Sequence, residues 1–234
     1  MKALEKILLL RKYGRLRSKE PMRQYRNRLY APQRILALAE RHATGEPTKR
    51  EARRQYIVCV CAAFETYWRE FVRVNVDRHR MPDATFAHLK RMSFNLSDVH
   101  SILRRKVTMG ELLSCSFSFQ GSEAVNAVLT EILKLDVFTE FAKAQFEFQA
   151  VPDKDHKKGE PLNRVVFTGR NILKETLPDI DRCFTVRHDT VHGSGALHRL
   201  PIHTPEHLAN SVWQFNYFLG SHLEQTFASL WGHR

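Results

Sequence analysis

An uninterrupted helical pattern runs from about Thr48 to Arg80 and constrains the fold more than any other stretch of the chain. Within it Tyr56, Val60, Ala63, Phe64, Tyr67, Phe71 and Val74 recur at three- and four-residue steps, while Glu65, Arg69 and Arg73 fall on another face. That period belongs to a helix and not to a strand, and so wide an apolar stripe has to be covered by other elements. Met81-Pro82-Asp83 ends the pattern. A helix of this kind is the spine of a bundle.

The remaining segments read as helices too. Pro21 to about Ala43 is helix-like, with Pro32 expected to kink or break it, and the turn-like Thr44-Gly45-Glu46-Pro47 follows. Shorter helices are expected over 84–91, over 97–106 with Ser97 as N-cap, and over 121–148 with a break near Asp136. A charged loop is expected over 152–161. Residues 168–177 look helical, Pro178 is expected to begin a new helix that ends near Gly193, and Leu208, Val212, Phe215, Leu219, Leu223, Phe227 and Leu230 mark a final amphipathic helix. Repeats, low-complexity tracts and glycine-rich phosphate loops are absent from the sequence. The fold class predicted is all-α, a helical bundle with an additional basic N-terminal helical segment. The division expected is a basic arm over 1–46 and the bundle over 47–234, the bundle remaining folded if the arm is removed.

With 234 residues and 43% apolar composition, the chain can bury a sizeable core, which excludes disorder as a whole. No stretch approaches the roughly 20 apolar residues of a membrane-spanning helix, and the apolar run near the start is short and lacks a cleavage site, so a soluble, unexported protein is expected. Cys59, Cys61, Cys115 and Cys183 form no CxxC pair and no dense framework. They suit buried thiols in a cytoplasmic protein. The net charge is +12, and residues 1–55 hold 16 Lys+Arg against 5 Asp+Glu, so the basic character lies near the N-terminus. Such a segment attracts polyanions by counterion release, which makes nucleic acid the leading class of partner and an anionic membrane surface the second. Arg23, Arg26, Arg28, Arg53 and Arg54 are the candidate RNA contacts; a merely solvated basic helix is the plain alternative.

One segment concentrates chemistry. Arg187-His188-Asp189-Thr190-Val191-His192 places a cation, two imidazoles and a carboxylate within six residues at the expected end of a helix. An Arg fork holds phosphate oxygens, and an imidazole exchanges protons near neutral pH. This pattern resembles the R-polar-x-x-x-H signature of HEPN domains (higher eukaryotes and prokaryotes nucleotide-binding), in the Arg-His-Asp-x-Val-His form of prokaryotic branches. Ala62-Ala63-Phe64-Glu65-Thr66-Tyr67 is similar to the apolar-Phe-Glu-x-Tyr stretch of that family's early helix. The resemblance spans about residues 50–234, without an alignable motif between roughly 80 and 160.

The resemblance implies a helical homodimer that brings two copies of the motif together across a two-fold axis. It also implies a metal-independent endoribonuclease, often a toxin or phage-defence effector, sometimes governed by an antitoxin or regulatory protein. His192 would be the general acid/base and Arg187 would neutralise charge on phosphorus. His188 would orient the site or touch phosphate, and Asp189 would fix an imidazole tautomer. Gly193-Ser194-Gly195 departs from the Arg-Asn-Gly that often follows the motif. No cofactor or metal is expected.

Other readings of the same residues remain open. His188/His192 and His203/His207 each have the spacing that presents two imidazoles to zinc, although no HExxH is present and Pro205 interrupts the second pair. Arg187 could instead offset the helix dipole and His192 cap the helix end. Glu65 could pair with Arg69 on its own helix or support the Arg187 site across the bundle. Phe64, Tyr67, Trp68 and Phe71 read as core. The alternative to a ribonuclease is a non-catalytic helical module that binds nucleic acid or a protein.

Overall fold

The computed structural model describes Ile7 and residues 20–79, 81, 95–149, 164–192 and 204–232. Helix α1 spans Pro21–His42 and α2 spans Glu46–Arg78, followed by α3 at Leu96–Arg104, α4 at Met109–Ser116, α5 at Ser122–Leu133 and α6 at Val137–Lys143. Strands β1 (Gln145–Gln149) and β2 (Arg164–Thr168) come next, then α7 (Gly169–His192) and α8 (Thr204–Trp231). The protein is predominantly helical, as its periodicity predicts. The helix expected over 84–91 and the charged loop over 152–161 lie outside the described residues.

Helix α2 runs for 33 residues and is packed by α1, α4, α7 and α8. All seven side chains of its expected stripe are buried, and so are Ile57, Trp68, Val72 and Val76, which fall off that stripe. The helix is therefore enclosed on several sides instead of carrying one covered face. Three of these neighbours meet it with a ring: Tyr25 of α1 lies edge-on to Tyr67 at 6.2 Å, Phe184 of α7 edge-on to Phe64 at 5.5 Å, and Phe227 of α8 edge-on to Phe71 at 6.1 Å. Edge-to-face pairs at these spacings add to what area burial alone contributes. Where α8 crosses α2, Gly220 is required, because a Cβ there would come within 2.0 Å of the Tyr67 hydroxyl oxygen. That hydroxyl donates to the Asn216 carbonyl at 2.9 Å. On α8 the stripe from Leu208 to Phe227 is buried as predicted, whereas Leu230 is exposed.

Helix α1 shares this core. Tyr25 is 1% exposed, Leu36 is buried, and Met22 and Leu29 pack on the cluster. Truncation at residue 46 would thus remove core side chains together with charge. Pro32 is accommodated inside a continuous helix. A helical proline costs about 3 kcal/mol, but Tyr25 before it and Leu36 after it both anchor the helix, and packing overrides the local preference. The turn to α2 is fixed by Arg53, whose Nε and Nη2 donate to the two carboxylate oxygens of Glu40 at 2.6 and 3.0 Å. Its Nη1 donates to Glu46 Oε1 at 2.8 Å. The bond from Arg53 holds the Glu40 carboxyl below its ordinary range.

Several boundaries differ from expectation for local physical reasons. Asn95, not Ser97, caps α3, accepting from the Asp98 amide at 2.8 Å while Asp98 accepts from the Asn95 amide at 3.1 Å. That reciprocal pair satisfies two amides that Ser97 would leave open. Pro178 lies within α7 and does not start a helix. The helix expected to reach residue 148 ends at Lys143, and Gln145–Gln149 forms an antiparallel pair with Arg164–Thr168. Among the described residues no helix is long and apolar enough to cross a membrane.

Asp77 faces the α2–α4 contact, and Glu70 lies buried beside Arg73 of its own helix and within reach of the Arg28 charge of α1. Asp77 accepts from the Thr108 hydroxyl at 2.8 Å and the Gly110 amide at 2.9 Å, and Arg73 donates to Glu70 at 2.8 Å. Burial nevertheless pushes both carboxyls up. The folded state then holds these protons more tightly than the unfolded chain, so stability declines as pH rises from the ordinary carboxylate range through the raised values. Urea melts of Glu70→Gln across that range should show a shallower decline than wild type. Separately, Tyr25→Ala should cost about 3 kcal/mol of unfolding free energy by analogy with buried Phe, while Arg23→Ala on the exposed face should stay within about 0.5 kcal/mol.

Candidate functional site

The last turns of α7 present Phe184, Arg187, His188, Val191 and His192 within roughly 140° of arc, given about 100° per residue. Together with Gln120 from the α4–α5 connection they line a cleft of about 250 Å³. Phe119, fully buried beside Gln120, anchors that connection to the core. The rings of His188 and His192 lie 4.6 Å apart with 46° between their planes. Both imidazoles are exposed to solvent.

Arg187 is held from two directions. Its Nη1 is 2.8 Å from Glu65 Oε1 of α2, with the two side chains 29% and 17% exposed. Its guanidinium also lies 5.8 Å from the centre of the Phe184 ring. The same contact explains both: Phe64 meets Phe184 edge-on, so the next residue on α2, Glu65, comes opposite the residue one turn further along α7. Glu65 thus supports Arg187 across the bundle instead of serving only its own helix. A partly exposed pair of this kind fixes orientation more than it stabilises.

Not every predicted residue joins the cleft. Asp189 is half-buried on an adjoining face of α7 and does not line it. Arg53 is 2% exposed and neutralised by Glu40 and Glu46, so the expectation that it contacts RNA is corrected: its charge is internal. Arg54 is largely covered and 3.9 Å from Glu51. Arg28 is half-buried, and its charge acts on Glu70. Arg23 and Arg26 remain on the surface. Of the residues considered for zinc, His207 contacts Asp179 at 3.0 Å, and His198 and His203 lie outside the described residues. Among the described residues no three His, Cys, Asp or Glu side chains converge as a metal-holding group. The four cysteines are free thiols.

No family model, curated protein or solved structure matches the chain. A guanidinium oriented by a carboxylate can hold an anion while two adjacent imidazoles exchange protons. Gln120 supplies an amide that can donate and accept beside them. Sequence reasoning missed Gln120, because a single amide in a connecting segment carries no periodic or motif signal.

A double-mutant cycle on Glu65→Gln and Arg187→Gln should give a coupling energy of about 0.5–1 kcal/mol in urea melts, the range for a partly exposed ion pair. A coupling of zero would show that the pair has no energetic content.

Proposed function

We propose that the protein is a metal-independent endoribonuclease of the HEPN type, acting through Arg187 and His192. The observation that carries this reading is the convergence of Arg187, His188 and His192 on one solvent-open cleft, with Arg187 aligned by Glu65. In the reaction the RNA 2′-oxygen attacks the adjacent phosphorus and the bond to the 5′-oxygen breaks. The 2′-hydroxyl proton passes to an imidazole, and a proton is delivered to the departing 5′-oxygen. His192 is the acid/base, with His188 4.6 Å away as the second imidazole. Arg187 neutralises charge on the pentacoordinate phosphorus. A two-fold homodimer that apposes two such clefts belongs to this reading, since it doubles the groups available to one phosphate.

A second reading, a non-catalytic nucleic-acid-binding module, draws on one observation: the Arg187 guanidinium already has the Glu65 carboxylate as counter-ion. Incubation of the purified protein with labelled RNA separates the two. The expected result is cleavage that persists in EDTA, spares DNA and leaves 2′,3′-cyclic phosphate and 5′-hydroxyl ends. His192→Ala and Arg187→Ala should each lose at least about 100-fold in rate without loss of helicity. Cleavage that survives His192→Ala, or activity that EDTA removes and zinc restores, would overturn the assignment. Light scattering should report a dimer at micromolar concentration.

A further inference from the structure

Trp213 and Tyr217 stand one turn apart on α8, and their rings stack with centroids 5.2 Å apart and 15° between planes. Both are half-buried. The guanidinium of Arg26, from α1, lies 5.8 Å from the centre of the Trp213 ring. An arginine of one helix and an aromatic stack of another thus make one cluster where α1 meets α8. Phe218 braces Tyr217 edge-on at 5.4 Å, and Phe218 is itself met by Phe146 of β1 at 5.1 Å. The stack is held in place by groups behind it.

Leu208, Val212, Phe215, Leu219, Leu223 and Phe227 fill the buried stripe of α8; Trp213 packs against that core in part, and Tyr217 is not among its members. On α1 the same combination recurs: the Arg34 guanidinium lies 5.8 Å from the ring of Tyr30, which is 63% exposed. Pro21–His42 contains five arginines and one glutamate, Glu40, which is paired with Arg53. Arg23 has a loose, exposed contact with Glu20 at 3.6 Å and the charge of Arg28 acts on Glu70, so the surface offers flat rings set among cations that outnumber the carboxylates beside them. Single-stranded nucleic acid meets both demands, with base faces for the rings and phosphates for the arginines. A duplex keeps its base faces stacked on one another and cannot offer them.

We propose that Arg26, Trp213 and Tyr217 form a stacking site for the bases of single-stranded RNA, with Arg23 and Arg34 on the flanking phosphates. The identity of the ligand rests on the ribonuclease reading; the site itself does not depend on cleavage.

The test is anisotropy with a fluorescent oligouridylate, in a His192→Ala background so that the probe stays intact, across a salt series. Trp213→Ala and Tyr217→Ala should each weaken binding about 10-fold and leave the slope of log affinity on log salt unchanged. Arg26→Gln should weaken binding and reduce that slope by about 0.7. Trp213→Phe, which keeps a flat ring and its packing, should retain most of the affinity and lose most of the tryptophan quenching that the oligomer causes in the parent. That quenching tests the site even if Trp213→Ala fails to fold. Duplex RNA should be indifferent to the ring substitutions. Folded Trp213→Ala and Tyr217→Ala proteins that bind as the parent does, an equal loss on duplex, or absent quenching would each overturn the stacking site. His192-dependent cleavage with ring-independent binding removes the stacking site alone, and ring-dependent binding by a wild type that cleaves no RNA removes the ribonuclease alone.

Discussion

Phe64, Tyr67, Trp68 and Phe71 put aromatic rings around α2, so a helix approaching from any of several directions meets one. Phe64 alone touches Trp68 of its own helix, Phe184 of α7 and Phe215 of α8. Large rings bury much area each and tolerate little misplacement. The neighbours are consequently fixed in height along α2 as well as in distance from it. Gly220 shows how closely the fit is set, since its missing side chain leaves the space that the Tyr67 hydroxyl occupies.

The candidate site inherits that registration. Once Phe64 and Phe184 are in contact, Glu65 and Arg187 have little choice but to meet, and Arg187 is delivered to the cleft at a defined angle. His188 and His192 need no such support, because one helix sets their separation. The cleft thus combines an intrahelical pair with an interhelical one. Its cation depends on the tertiary core, and its imidazoles depend on α7 remaining helical to its last turn.

The parts of this arrangement that were legible in the sequence are those encoded by local period. The apolar steps of α2 and α8 predicted both helices and the central stripe of each, but not the buried residues beside it such as Ile57, Val72, Val76, Ala209 and Asn216, and the Arg/His segment was expected at a helix end, where α7 carries it. Contacts between distant residues left no such trace. Arg69, four residues from Glu65, was by spacing the better partner, and nothing local pointed to Arg187. Arg53 looked like any surface cation because Glu40 reaches it from across a turn and Glu46 from two helical turns earlier on α2. The strand pair was missed although Gln145-Phe146-Glu147-Phe148-Gln149 alternates; five residues are a short sample, and Gln, Glu and Ala nearby also suit a helix. Pro32 and Pro178 misled in the same way, because a proline signals only the local cost and packing decided both helices.

The pairing of Glu65 with Arg187 also imposes an order in time. A chain made from its N-terminus exposes Glu65 in company with the arginines of α1 and α2, whereas Arg187 is delivered after them and α8 later still. Domains fold as units once their residues are available, and the Phe64–Phe215 contact that closes the core needs α8. The nascent chain therefore displays its basic N-terminal helix well before the cleft at the end of α7 can be assembled. Any chemistry that the cleft performs is deferred until α8 has emerged to close the core.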